Sequence, residues 1–213
     1  MQKTVKRYLW FLLGVLINSF GIALITKAAL GTSPISSVPY VLSLHFPITL
    51  GQFTFIMNTL FILLQIVLLR KRFQLIQLLQ IVVNIIFSLV IDVSMQLLFF
   101  LQPHSIFTQL LSLLLGCAVL ALGISIEVAP NVLMVPGEGI VKALSIVTKK
   151  RFGSVKILFD LTLIASSTLL SFLFFHQLNG IGLGTIMSAL LVGKLVNLLN
   201  RHFPLIQKIT VSS

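Results

Sequence analysis

The sequence predicts an all-α polytopic membrane protein: six transmembrane helices arranged as two inverted three-helix repeats, each repeat carrying a short broken or re-entrant helix. Three observations lead there. Of the 213 residues, 57% are hydrophobic and only 9% are charged, whereas a soluble domain has about a quarter of its residues charged. Apolar runs long enough to cross about 30 Å of hydrocarbon, roughly 20 residues each, recur along the whole chain. The sequence also matches itself, without a gap, at the 102 positions that separate Pro34 from Pro136. So little polar material cannot coat a water-facing surface, which excludes a soluble enzyme or a soluble binding domain.

The first span is expected at Leu9–Ala28. Lys3, Lys6 and Arg7 before it and Ala28-Ala29 after it have the outline of a signal peptide, but the internal repeat favours a retained helix. Gly31-Thr32-Ser33-Pro34 then breaks the chain, and the stretch from Pro34 to Phe46 is too short to cross. Spans follow at Leu50–Leu69, Leu75–Leu101 and Ile106–Val128. Pro130-Asn131 and Pro136-Gly137-Glu138-Gly139 break the chain again ahead of a second short stretch, Pro136 to Thr148, and the last two spans are Val155–Phe175 and Ile181–Leu199. All 213 residues form a single transmembrane domain, with repeat 1 over about 8–101 and repeat 2 over about 106–203.

The formal charge is +11. In a soluble protein that would suggest nucleic acid; here it marks loops held at an anionic leaflet, so nucleic acid is discounted. With the amino terminus inside and six crossings, twelve of the 15 Lys and Arg residues fall on the cytoplasmic side: Lys3, Lys6, Arg7, the Arg70–Arg72 cluster, Lys142, the Lys149–Arg151 cluster, Arg201 and Lys208. The opposite side receives Lys27 alone. The expected location is thus a bacterial plasma membrane with both termini cytoplasmic. Eight crossings would move the Arg70–Arg72 cluster outside and violate the same rule.

The repeat register pairs Gly14 with Gly116, Gly21 with Gly123, Pro34 with Pro136, Gly51 with Gly153, Asn58 with Asp160 and Asp92 with Lys194. Three crossings per half is an odd number, so the second half enters from the opposite side. That inverted arrangement is common in carriers and also occurs in channels. The Gly31–Pro34 stretch, Gly51, Pro136–Gly139 and the Gly182-Leu183-Gly184-Thr185 turn running on to Gly193-Lys194 resemble the YczE/YyaS/YitT family of bacterial integral membrane proteins over nearly the whole chain. The resemblance implies a membrane protein of bacterial origin. In that family an acidic residue often stands at or near the position of Lys194, and no functional role is carried over from it.

All four carboxylates, Asp92, Glu127, Glu138 and Asp160, lie in or beside apolar spans. A charge at the bilayer centre costs about 2.5 to 3.5 kcal/mol on insertion scales, so such groups face partners or a wet cavity. Lys156 and Asp160 are four apart on one helical face, a self-neutralising pair or a solute or proton site. Asp92 and Lys194 occupy symmetry-related positions and, if they meet across the pseudo-twofold axis, form a gate or a structural lock. Glu138 either caps a short helix or lines a central cavity with Thr32, Ser33, Ser36 and Ser37. Glu127 reads as an interfacial residue, and Asn18, Asn58 and Asn84 as inter-helix hydrogen bonders, Asn58 strengthened by its alignment with Asp160. The candidate binding or translocation residues are Ser33, Ser36, Asn58, Asp92, Glu138, Lys156, Asp160 and Lys194.

Enzyme signatures are lacking. The four histidines are scattered near span ends without metal-ligand spacing, Cys117 sits in an apolar run, and no Ser, His and acid group suggests a triad. Gly180, Gly182 and Gly184 imitate a phosphate loop but lack its strand and its Lys-Ser or Lys-Thr, so close helix packing is expected. No cofactor is implied. The expected function is a small secondary transporter or permease for a small polar or charged solute, coupled to protons through Asp160, Asp92 or Glu138. Its partners are the lipid bilayer and the solute, and small residues permit a homodimer without requiring one. The alternatives are a non-transporting subunit, sensor or scaffold docking a partner or anionic lipid through its basic loops, and a channel.

Overall fold

The computed structural model describes residues 2–202; Lys208 and the end of the second repeat at 203 lie outside them. Eight helices and no strand occur among the described residues: α1 (Gln2–Lys27), α2 (Pro34–His45), α3 (Leu50–Leu69), α4 (Gln80–Leu97), α5 (Ile106–Val128), α6 (Pro136–Thr148), α7 (Phe152–Phe175) and α8 (Leu183–His202). Six spans are long and apolar enough to cross a membrane, and α2 and α6 are not among them. The chain is an all-helical, multi-pass membrane protein. Several boundaries differ from expectation: the first helix begins at Gln2 rather than Leu9 and the fifth span at Phe152 rather than Val155. The third span ends at Leu97 rather than Leu101 and opens with a 3-10 turn over Leu75–Leu79; the last helix runs on to His202.

Local chemistry explains the helix ends. At α3 the Thr49 side chain accepts from the Gln52 N–H (3.1 Å) while Gln52 accepts from the Thr49 N–H (3.1 Å), and Ser105 and Thr108 repeat the device at α5. Pro34 and Pro136 each open a short helix, where a missing N–H costs nothing.

The centre of the fold is the α1–α5 pair. A Cβ on Gly14 would run into the Glu127 backbone, one on Gly21 into Leu120, one on Gly116 into Ile25 and one on Gly123 into Asn18. Around this seam α1 also packs on α4 and α5 on α8, while α2 packs on α7 and α3 on α6. Phe11, Val15, Ile22, Ile25, Leu113 and Leu120 fill the core, and Cys117 is a buried core residue beside them. One pairing breaks the pattern: α3 packs along α4, but α7 and α8 have no comparable contact.

The basic clusters gather at one end of the molecule. The Arg7 guanidinium donates to the Pro130 carbonyl (2.7 and 3.0 Å), and Arg72 and Lys142 flank one small cleft beside Asn131. At the opposite end the Gly184 N–H donates to the Leu30 carbonyl (2.8 Å), where a Cβ on Gly182 or Gly184 would collide, and His45 stacks on Phe174 with ring centroids 4.3 Å apart. The 180–184 glycines therefore serve close packing.

Candidate functional site

A cavity of about 810 Å³ occupies the middle of the protein and extends toward the basic end. Its inner wall comes from the starts of the two short helices, which meet where Ile35 fills the space a Gly137 side chain would need. Its outer wall comes from α7 and α8, including Phe152 and Gly153 on one and Val192, Gly193 and Asn197 on the other. The failure of these two helices to pack is what leaves the space open. Gly153 and Gly193 meet nothing where a side chain would stand.

Six of the eight candidate residues line this cavity: Ser33, Ser36, Asn58, Glu138, Lys156 and Asp160. Ser33 Oγ donates to Ser36 Oγ (3.1 Å) at the start of α2. Asn58 lines the wall and also ties α3 to α4, donating to Asn84 Oδ1 (2.9 Å), so the inter-helix role and the cavity position coincide. Lys156 Nζ and Asp160 Oδ1 form an ion pair of 2.7 Å, one helical turn apart on α7. The Glu138 carboxylate makes neither a hydrogen bond nor an ion pair among the described residues, although it stands in the first turn of α6. Burial pushes the Glu138 carboxyl above the usual carboxylate range; Lys156 opposes that shift and Asp160 adds to it.

Asp92 and Lys194 are elsewhere, and they do not meet. Asp92 Oδ2 accepts from the Thr49 hydroxyl (2.6 Å) and Oδ1 from the Gly51 N–H (2.8 Å), so this carboxylate ties α4 to the start of α3 at the opposite end. Lys194 is exposed on α8. The cross-axis pair does not form: Asp92 is engaged by the head of α3 in its own half, and Lys194 is exposed. Thr32 and Ser37 also leave the cavity. Thr32 bonds the Thr26 hydroxyl (2.7 Å) and donates its N–H to Thr185 Oγ1 (3.1 Å), and Ser37 donates to the Pro34 carbonyl (2.6 Å).

Glu127 is not interfacial. It is 1% exposed at the α1–α5 seam, where Oε2 accepts from Asn18 Nδ2 (2.8 Å) and Oε1 has no partner. Asn18 itself lines the cavity, as do Lys142 and Ser188, which were not among the candidates. The signal for Glu127 lay in its register: counting down α5 from Gly116 and Gly123 places it opposite Gly14, at the tightest part of the seam.

Residues 5–201 match a family of unknown function (DUF6198), and the chain belongs to that family. It is similar to the "Uncharacterized protein YyaS" of Bacillus subtilis (strain 168), 25% identical over 206 residues, which span 92% of this chain and 96% of the relative. The YyaS-like membership that the glycine and proline motifs suggested therefore stands. No solved structure matches.

Proposed function

We propose that the protein is a small secondary carrier of a bacterial plasma membrane, both termini cytoplasmic, which moves a small polar or charged solute by alternating access around a site shared by two inverted repeats. It binds and releases its solute and performs no catalysis. The seam glycines support the inversion. Adding 102 to Gly14 gives Gly116, and subtracting 102 from its contact Glu127 gives Ile25, the residue that Gly116 meets; Gly21–Leu120 maps onto Gly123–Asn18 in the same way. Such reciprocal contacts are what a twofold axis between like halves generates. The contact of Ile35 with Gly137 maps onto itself, as a contact lying on such an axis would.

The observation that carries the reading is the asymmetry of the cavity. It reaches the basic end through the α7–α8 cleft, and its lining stops short of the opposite end, where Asp92 holds α3 to α4. A carrier open to one side has this form. A scaffold needs no such space, and a channel needs a lining that continues to both ends.

Uptake into proteoliposomes over a panel of solutes, with Asp160→Asn as control, tests the reading. The expected outcome is uptake of at least one solute by the unaltered protein and its loss in the variant. Undiminished uptake by Asp160→Asn removes Asp160 from the site, and no uptake of any solute removes the carrier. Labelling of cysteines placed at Lys71 and Lys150 tests the inversion, since both must react from the same side.

A further inference from the structure

The composition of the cavity wall narrows the solute further, given the carrier reading above. Ile22, Met57, Phe87, Leu120, Ile124 and Val192 make most of the wall apolar, and about 810 Å³ is far more room than a bare inorganic ion needs. It falls within the roughly 300–1,000 Å³ typical of sites for drug-sized organic ligands. Charge in the wall is not balanced group by group. Asp160 is matched by Lys156 at 2.7 Å, whereas among the described residues Glu138 has no cation within bonding distance: Lys156 acts on it only from longer range, and Lys142, one turn further along α6, is exposed and forms no ion pair with it. A carboxylate left without a partner beside an apolar space favours a ligand that supplies the positive charge and covers the apolar surface at once.

We propose that the solute is an amphipathic organic cation, its charged group held against Glu138 and its apolar body against the cavity wall between α7 and α8. Inorganic cations fail to use the wall, and organic anions meet Glu138 as a like charge. Glu138 is faced by Lys142 from its own helix, by Lys156 and Asp160 from α7 and by Glu127 from α5, while α2 and α3 present no titratable side chain to it. Because burial holds the Glu138 carboxyl above its ordinary range, its neutral form persists to higher pH than usual. A cation needs the ionised form, so binding strengthens as pH rises through that titration.

The experiment is equilibrium binding of tetraphenylphosphonium to the purified full-length protein, measured as the fraction displaced by excess unlabelled ion. Tetraphenylborate serves as an anion of the same shape and tetramethylammonium as a cation without an apolar body. The expected result is saturable phosphonium binding that weakens at least tenfold in Glu138→Gln and strengthens with pH in the unaltered protein, with both control ions bound at least tenfold more weakly. Equal binding of the borate, or of tetramethylammonium, overturns the proposal, as does phosphonium binding unaffected by Glu138→Gln. Should Glu138→Gln fail to fold, the comparison of the three ions on the unaltered protein decides. Binding without any uptake into proteoliposomes removes the carrier and leaves this inference standing. Uptake of a solute with which phosphonium does not compete removes this inference and leaves the carrier.

Discussion

The α3–α4 pair and the α7–α8 pair stand about 102 positions apart, in the register at which the sequence matches itself, yet one is closed and the other open. In the first, Thr49 and Gly51 at the head of α3 both donate to Asp92 on α4, and the glycine allows the two backbones to touch. In the second, the same register puts Arg151, Gly153 and Lys194 at those three places. Gly153 stands in open space and Lys194 is exposed. Two cations cannot reproduce a bond made by a carboxylate to a hydroxyl and an N–H; brought together, they repel. Burial follows the same division: 33% and 39% of the most apolar stretches of the second and third spans are buried, against 17% for each of the last two. The difference teaches that three residues at register-related positions separate a pair tied by hydrogen bonds from a pair left unpacked.

The comparison is broken most severely by a side chain at the tight glycine. Gly51→Leu drives a Cβ into the Ser88 backbone carbonyl, which the helix holds in place, and into the Asp92 carboxylate. Overpacking of this kind costs about 1 to 3 kcal/mol and occasionally more. The expected outcome is a marked loss of thermal stability in detergent, with the same substitution at Gly153, where no atom lies within 4 Å, close to neutral. Equal losses at the two positions would falsify the assignment of one closed and one open pair.

Removing the carboxylate comes next. Asp92→Ala leaves the Thr49 hydroxyl and the Gly51 N–H without their acceptor, and hydrogen bonds to a charged group contribute about 1.5 to 3 kcal/mol. The expected effect is a shift toward opening at that end. With Cys117 replaced by Ala, a cysteine at Met57 on the cavity wall reacts with a membrane-impermeant maleimide from the Lys27 side at least tenfold faster in Asp92→Ala than in its parent. The equivalent change, Lys194→Ala, leaves that rate as it was, because Lys194 is exposed and makes no hydrogen bond or ion pair among the described residues.

How far the sequence reveals all this depends on what each residue's role requires. The spans and the short helices follow from length, hydropathy and paired breaker motifs, so α2 and α6 fall within a residue of expectation. Gly14, Gly21, Gly116 and Gly123 are legible as a repeat because close backbone contact tolerates only glycine. Side-chain direction is not legible in this way. Register put Asp92 and Lys194 in equivalent places, but equivalence in register is not proximity, and nothing in spacing shows that Asp92 turns to Thr49. The same limit misplaced Glu127, whose burial depends on a helix that lies more than a hundred residues earlier in the chain.

The smallest effect expected belongs to the ion pair on the open side. Lys156 and Asp160 are 29% and 18% exposed and lie on one helix, so each side chain keeps access to the cleft. Pairs at this spacing near a surface contribute about 0.3 to 0.5 kcal/mol. Lys156→Met should therefore shift the melting temperature of the purified protein by no more than a degree or two, far less than Gly51→Leu. If it lowers stability as much as Asp92→Ala does, the pair is a structural tie and α7 is held as firmly as α3. If stability is kept while solute binding changes, the pair belongs to the cavity, and the closed and open halves of the molecule differ in task as well as in packing.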